Sequence, residues 1–135
     1  MSEEQRIFLG LGSNMGNRYQ NLKNGIIMLH EHPHIWVTDK SHVYQSPPMY
    51  RVDQNEFYNM VIEIDTNLIP VDLLNEIKNI EKKAGRLPEP KKNMPRILDI
   101  DILAIGDLQI HSGLLEIPHG GISERIFVLK PWNDI

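Results

Sequence analysis

Cysteine is absent from this 135-residue sequence, and no apolar segment approaches the length that a bilayer-spanning helix needs. The lack of cysteine excludes disulfide bonds and thiolate chemistry, and nothing indicates an oxidising compartment. The opening residues, MSEEQR, are acidic and polar, which is the wrong composition for a secretory signal. These absences predict a soluble, cytoplasmic protein that does not contact a membrane.

Basic residues are fewer than acidic ones, 14 against 18, so the formal net charge is −4. A charge of this sign argues against nonspecific binding of nucleic acid. The basic residues are nevertheless clustered, because six of the 14 lie within residues 82–96, where Glu89 is the single acid. Such a segment indicates either a local anionic ligand such as phosphate or an ordinary solvated loop.

Hydrophobic periodicity predicts the element order strand, helix, strand, strand, helix, strand. The main strands are expected at residues 6–11, 35–46 and 57–66 and after residue 96, and the helices at residues 18–31 and 70–84. This order is typical of the ferredoxin-like, or split βαβ, fold of the α+β class, an antiparallel sheet with both helices on one face. A short strand near residue 110 and a loop, turn and strand over residues 117–131 are expected as C-terminal additions. The whole chain, residues 1–135, is expected to form a single domain.

The strand after residue 96 carries two aspartates, in the sequence PRILDIDIL. Because alternate strand residues face opposite sides, Asp99 and Asp101 are expected to share one face, with Cα atoms roughly 6.5 to 7 Å apart. Leu98, Ile100 and Ile102 would then face the core. Two carboxylates this close repel each other unless a cation lies between them or one is protonated. Mg²⁺ suits them because it prefers carboxylate oxygen and completes its coordination with water and phosphate; the alternative is a solvent-facing strand.

Three other patterns have simpler explanations. His30, His32 and His34 alternate and suggest a metal site, but they straddle a helix end, so their side chains need not converge. The sequence GLGSNMGN resembles a phosphate-binding loop yet lacks its Gly-Lys-Ser/Thr ending, so a tight strand-to-helix turn is expected, with Asn14 reaching towards a site. Trp36 is expected to be a packing residue.

Four segments occur together and in order: LGSNMGN, YQSPPM followed by FYN, PRILDIDIL, and IPH with ERIFVLKP beyond it. Together they resemble the 6-hydroxymethyl-7,8-dihydropterin pyrophosphokinase family over about residues 7–131. The resemblance implies the ferredoxin-like fold and the Mg²⁺-dependent transfer of pyrophosphate from ATP to the hydroxymethyl group of the dihydropterin in folate biosynthesis, releasing AMP. It also implies a monomer whose partners are ATP and the pterin, with no nucleic acid.

The resemblance assigns roles to residues at matching positions. Asp99 and Asp101 would bind two Mg²⁺ ions and act in catalysis, with Asp101 accepting the hydroxyl proton. Arg86 and Arg96 would be the other catalytic residues. The residues that would line the pterin pocket are Ser46, Pro47, Pro48, Met49, Phe57, Asn59, Asp99 and Phe127. Phe57 and Phe127 would sandwich the flat ring, and the Asn59 amide would recognise its hydrogen-bonding edge. The nucleotide would be bound by Glu81, Arg96, Ile102, His119 and Arg125.

The nucleotide side departs from the usual family pattern. Met94 stands where glycine is usual, Pro88 where a second arginine is usual, and Lys92 where arginine is common. Lysine is a point charge and does not offer the bidentate fork of arginine. The chain also ends at Ile135, earlier than is common in the family. These departures motivate an alternative, a non-catalytic or strongly slowed paralogue that binds pterin or nucleotide. A third possibility is a ferredoxin-like interaction module that binds neither.

Overall fold

Two helices and the strands of an antiparallel sheet follow one another along the described chain. The structure is a computed structural model that describes residues 6–46, 56–85, 97–113, 115–118 and 133–135. Its elements are, in order, β1 (Ile7–Ser13), α1 (Arg18–Glu31), β2 (Ile35–Lys40), β3 (Tyr44–Ser46), β4 (Phe57–Thr66), α2 (Pro70–Lys83), β5 (Asp99–Ile105), β6 (Ile110–His111) and β7 (Glu116–Ile117). The predicted helices and main strands are confirmed, except that one predicted strand is divided in two. Among the described helices, none has the length and apolar character needed to span a bilayer.

The central sheet is antiparallel throughout. Its strands lie in the order β2-β4-β1-β5, and the short strand β3 also pairs with β4. Strands β6 and β7 form a separate two-stranded hairpin. The fold is therefore a mixed α/β arrangement of an antiparallel sheet with two helices, as the hydrophobic pattern predicts.

One face of the sheet packs against both helices. Met60, Ile62 and Ile64 of β4 join a buried cluster with Leu22 of α1 and Leu73 of α2. Residues Ile7, Leu9 and Leu11 of β1 and Ile100 and Ile102 of β5 belong to the same cluster. The opposite face holds a smaller buried cluster of Phe8, Val61 and Leu103. The residues of β4 therefore alternate between the two faces, because Val61 and Ile62 belong to different clusters.

Helix α1 approaches the sheet closely at Gly25. A Cβ atom on Gly25 would lie 3.0 Å from Leu98 Cδ2, so a larger residue there would require the Leu98 side chain or the helix to shift. From the sequence alone, Gly25 is expected only to weaken the helix, and its packing role depends on Leu98. The helical spacing of Tyr19, Leu22, Ile26 and Leu29 predicts that Tyr19 belongs to the apolar stripe, which is wrong, since Tyr19 is 53% exposed.

Helix α2 begins at the predicted Pro70 and ends at Lys83, one residue before the predicted end. Pro70 occupies the first turn, where the missing N–H has no helical partner to lose, and Asp72 places negative charge near the positive end of the helix dipole. Gly85 follows the last turn with φ +107°, a left-handed conformation that glycine adopts without a side-chain clash.

The strand predicted over residues 35–46 is divided into β2 and β3. Ser41 lies at the break, where its N–H donates to the Val61 carbonyl and its hydroxyl accepts from the Val61 N–H. The register of β2 against β4 also shifts between Val37 and Asp39. A side-chain hydroxyl that replaces a backbone acceptor interrupts the strand, and hydrophobic alternation does not reveal it. Trp36, expected to pack, is 44% exposed on β2.

Candidate functional site

Asn59, Gly12 and Asp99 form one row across the sheet face that is opposite the helices. Gly12 pairs with Asn59 of β4 on one side and with Asp99 of β5 on the other. Directly paired residues point to the same face, and neighbouring strands lie about 4.8 Å apart, so the Asn59 and Asp99 Cα atoms are roughly 10 Å apart. The row is thus an amide and a carboxylate separated by a position that has no side chain.

Neighbouring side chains lie close to the position that a Cβ atom on Gly12 would occupy. A Cβ atom there would lie 3.1 Å from Asn59 Oδ1 and 3.5 Å from Phe57 Cδ1. The Phe57 ring and the Asn59 amide therefore flank the same small region of the sheet. An aromatic ring beside a hydrogen-bonding amide suits a flat, polar-edged ligand.

Asp99 and Asp101 share a face, as their alternation in the strand predicts. Both are half-buried, whereas the intervening Ile100 is buried in the core beneath the helices. Asp101 pairs with Gly10 as Asp99 pairs with Gly12, so each carboxylate stands opposite a glycine of β1. We call the set Gly10, Gly12, Asn59, Asp99 and Asp101 the aspartate face.

The carboxylates of the aspartate face fit a Mg²⁺ ion by number and chemistry. Within the described ranges, no group of three or more His, Cys, Asp and Glu side chains is placed to bind a metal. Two carboxylates with few other protein ligands are what Mg²⁺ uses, since it retains water and takes phosphate oxygens from a substrate. Zinc in structural sites, by contrast, prefers four nitrogen or sulfur ligands.

Glu81 supports the strand that carries the two aspartates. It is only 4% exposed in helix α2, and its Oε2 accepts a hydrogen bond of 2.8 Å from the backbone N–H of Ile100. Ile100 lies between Asp99 and Asp101, so Glu81 fixes the backbone from the helix side. Sequence comparison with the family suggested a nucleotide contact for Glu81 and did not predict this support role.

The remaining predicted site residues are placed as follows. Ser46 is the last residue of β3, where it pairs with Phe57. Ile102 is 4% exposed in the core on the face opposite the aspartates, so its side chain does not join them. Its contact with the nucleotide stays a prediction. The other predicted residues lie outside the described part of the chain: Pro47, Pro48, Met49, Arg86, Arg96, His119, Arg125 and Phe127.

The GSNMGN segment is a strand-to-helix turn, as expected. The Asn17 side chain caps helix α1 by accepting from the Gln20 N–H at 3.0 Å. The Asn21 side-chain amide donates to the Met15 carbonyl at 2.7 Å, which links the turn to the first part of the helix. Asn14 is buried, and its reach towards the site stays a prediction.

A cluster of polar residues attaches the end of the described chain to the sheet. The Asp134 carboxylate accepts from the Tyr44 hydroxyl at 2.8 Å and from the His42 N–H at 3.0 Å. The hydrogen bond from Tyr44 lowers the pKa of Asp134, and the same bond raises the pKa of Tyr44. Tyr44 pairs with Asn59, so the cluster lies next to the aspartate face. Nothing in the sequence pattern pointed to this long-range contact.

The three alternating histidines do not form a metal site. His32 Nε2 lies 2.7 Å from a Glu76 carboxylate oxygen, and its Nδ1 accepts from the His34 N–H at 3.0 Å. His30 Nδ1 accepts from the Val37 N–H at 3.1 Å. The ring nitrogens of His30 and His32 make structural contacts, and the bond to His32 lowers the pKa of Glu76.

Comparison with known proteins identifies the class of protein to which this fold and site correspond. The family model for 7,8-dihydro-6-hydroxymethylpterin-pyrophosphokinase (HPPK) matches residues 8–135. A Bacillus subtilis protein, 2-amino-4-hydroxy-6-hydroxymethyldihydropteridine pyrophosphokinase, is 38% identical over 128 residues, which are 95% of this chain and 76% of that protein. The chain belongs to the HPPK family.

Longer relatives match as well. The folic acid synthesis protein fol1 of Schizosaccharomyces pombe is 40% identical over 124 residues, 92% of this chain. FOL1 of Dictyostelium discoideum, also a folic acid synthesis protein, is 43% identical over 129 residues, 96% of this chain. The matched regions are only 17% and 19% of the lengths of these two relatives.

Solved structures share the fold. The crystal structure of wild-type Plasmodium falciparum HPPK-DHPS with pteroate superposes with a TM-score of 0.75 over 99% of this chain and 40% of that chain. Sequence identity in this comparison is 18%, so the similarity establishes the arrangement of strands and helices.

Proposed function

We propose that this protein transfers pyrophosphate from ATP to the hydroxymethyl group of 6-hydroxymethyl-7,8-dihydropterin, releasing AMP, as a step of folate biosynthesis. The observation that carries the proposal is the row of Asn59, Gly12 and Asp99, with Asp101 two residues along the same strand. Membership of the HPPK family gives the reaction, and the aspartate face supplies groups suited to both substrates.

The pterin is proposed to lie over Gly12. Its flat ring would rest against Phe57, and the Asn59 amide would pair with its donor and acceptor edge, since an amide offers both kinds of group. The lack of a side chain at Gly12 supports this position, because Asn59 and Phe57 already flank the region. Ser46, Pro47, Pro48, Met49 and Phe127 are proposed to complete the pocket.

Asp99 and Asp101 are proposed to bind two Mg²⁺ ions. The ions, when bound, would neutralise the polyphosphate charge and orient it for in-line displacement. The two aspartates also align the acceptor, because Asp99 would contact the pterin and Asp101 would accept the proton of its hydroxyl group. Glu81 keeps both carboxylates in place through the Ile100 N–H.

The reaction then depends on positioning and charge. The pterin hydroxyl oxygen attacks the β-phosphorus of ATP, and the bond between that phosphorus and the oxygen bridging to the α-phosphate breaks, so AMP leaves. Arg86, Arg96, His119 and Arg125 are proposed to hold the triphosphate, and Glu81 and Ile102 to contribute to the nucleotide site. Arginine suits this role because its fork matches two phosphate oxygens.

The ferredoxin-like arrangement, the domain count, the oligomeric state and the cellular location are proposals too. The sheet order β2-β4-β1-β5, with both helices on one face, supports the ferredoxin-like arrangement. A single domain, a monomeric state and a cytoplasmic location stay predictions from the sequence.

AMP formation tests the function. The purified chain is incubated with ATP and Mg²⁺, with and without the dihydropterin, and AMP and the pterin diphosphate are measured. We expect equal amounts of the two products, formed only when the pterin and Mg²⁺ are both present. Pterin binding without AMP would instead favour the slowed paralogue, and neither binding nor AMP would favour the interaction module.

A further inference from the structure

Arg18, in the first turn of helix α1, contacts the start of β4 from the helix side of the sheet. Its Nη1 donates a hydrogen bond of 2.7 Å to the Glu56 carbonyl. Its guanidinium carbon lies 4.2 Å from the centre of the Tyr58 ring. Glu56 and Tyr58 are the residues on either side of Phe57. One side chain therefore contacts both neighbours of the aromatic residue that flanks Gly12.

The two contacts fix the strand in complementary ways. The hydrogen bond to a carbonyl sets the position of the backbone before Phe57, and charge assistance makes such a bond stronger than a neutral one. The cation–π contact sets the position of Tyr58, which packs against the main core. Successive strand residues face opposite sides of the sheet. Because Glu56 and Tyr58 are held from the helix side, the Phe57 side chain between them is directed to the opposite face.

Glu56 has a second restraint. Its side-chain carboxylate accepts a hydrogen bond from the Gln45 amide of β3. Gln45 pairs with Tyr58 in the register between β3 and β4. The start of β4 is thus held by Arg18 from the first helix and by Gln45 from the neighbouring strand.

We propose that Arg18 is a positioning residue for the pterin site, which orients Phe57 without touching the substrate. The inference rests on the proposed function. It predicts a selective effect: loss of Arg18 weakens pterin binding and leaves nucleotide binding nearly unchanged, because Phe57 is proposed to contact the pterin and not the nucleotide. If Arg18 only joined the helix to the sheet, its loss would lower the stability of the protein and would not weaken pterin binding selectively.

The test compares Arg18→Gln with Lys23→Gln, a matched control. Lys23 lies on the same helix with its Nζ 5.6 Å from the Tyr19 ring, on an exposed part of the surface. Calorimetric titration of a dihydropterin analogue, and separately of a non-hydrolysable ATP analogue with Mg²⁺, is carried out well below each melting temperature. We expect Arg18→Gln to bind the pterin about tenfold more weakly, the scale of one lost charged hydrogen bond, and to change nucleotide affinity by less than about twofold. Lys23→Gln is expected to match the wild type.

Two further variants keep the test decisive if Arg18→Gln does not fold. Arg18→Lys retains a charge and a donor but not the planar group, so it should lie between the wild type and Arg18→Gln. Gln45→Ala removes the other restraint on Glu56 and should weaken pterin binding in the same direction. Wild-type pterin affinity in every folded variant would overturn the role of Arg18 and leave the proposed function standing. A wild-type protein that neither binds the pterin nor forms AMP would remove the proposed function, and this inference with it.

Discussion

Asn59 and Asp99 face the same side of the sheet from different strands, with Gly12 of the strand between them. The amide can donate and accept hydrogen bonds, whereas an ionised carboxylate only accepts. A ligand lying between them would meet the Asn59 amide, proposed to recognise its ring edge, on one side and the Asp99 carboxylate, proposed to bind metal, on the other. This relationship gives the following predictions.

Replacing either aspartate of the aspartate face should remove activity and preserve the fold. Asp99→Asn and Asp101→Asn keep the side-chain volume and remove the charge, so the Mg²⁺ that these carboxylates are proposed to bind would lose a ligand. We expect AMP formation to fall by at least about 100-fold, the scale of losing one preorganised electrostatic contact. Asp107→Asn, in the exposed turn after β5, is the control and should retain full activity. Near-normal rates in either aspartate variant would contradict the assignment.

Gly12→Ala should impair the use of the pterin more than the use of ATP. The added methyl group would lie 3.1 Å from Asn59 Oδ1, so the amide must shift or the substrate must rise from the sheet. We expect KM for the pterin to increase by about tenfold, which corresponds to about 1.4 kcal/mol, and KM for ATP to change little. Gly113→Ala adds a methyl group with no atom within 4 Å and serves as the control. Equal changes in both KM values would argue against a pterin above Gly12.

Glu81→Ala should destabilise the protein, because it leaves the buried Ile100 N–H without the carboxylate acceptor. We expect the free energy of unfolding to fall by roughly 1 to 3 kcal/mol, as measured by urea denaturation. Glu81→Gln retains an oxygen acceptor and should lose less stability. An alanine variant as stable as the wild type would show that this bond has little energetic weight.

The cluster around Asp134 predicts that part of the stability of the folded protein is lost in acid. Because the folded state lowers the pKa of Asp134 from 3.8, its ionised form is favoured by folding, and this contribution is present above pH 3.8. It is lost as the pH falls through the lowered value. Unfolding midpoints measured above and below pH 3.8 should therefore differ less for Asp134→Asn than for the wild type. Identical pH profiles would contradict the contribution of this cluster.

Tyr44 of the same cluster predicts a loss of stability as the pH rises. The folded state raises the pKa of Tyr44 from 10.0, chiefly because its hydroxyl donates to Asp134. The stabilisation is complete below pH 10.0 and is lost as the pH rises through the raised value. Tyr44→Phe should remove this alkaline dependence, which the same denaturation series measures in alkaline buffers. If the stability of Tyr44→Phe falls at alkaline pH as much as that of the wild type, other groups control this decrease.

The sequence predicts elements whose signals are local. Helix α2 could be located because Pro70, Asp72 and Gly85 mark its ends by effects confined to a few residues. The common face of Asp99 and Asp101 follows directly from strand alternation. These inferences needed no knowledge of distant parts of the chain.

Other features depend on contacts between distant residues, which a single sequence does not reveal. The break at Ser41 arises from its bonds to Val61, twenty residues later. The role of Gly25 depends on Leu98 of another element, and the contact between Tyr44 and Asp134 joins residues 90 positions apart. Propensity and periodicity describe one element at a time, so they predicted the aspartates and missed the residues that support them.

The bond between Glu81 and Ile100 also occupies a backbone donor of strand β5. Strand β5 is the outermost described strand on its side of the sheet, and an outermost strand offers backbone groups to which another chain could add. Glu81 occupies one of these donors with a carboxylate from the same molecule. The residue that supports the backbone between the two aspartates thereby leaves one donor fewer on β5 with which another strand could pair.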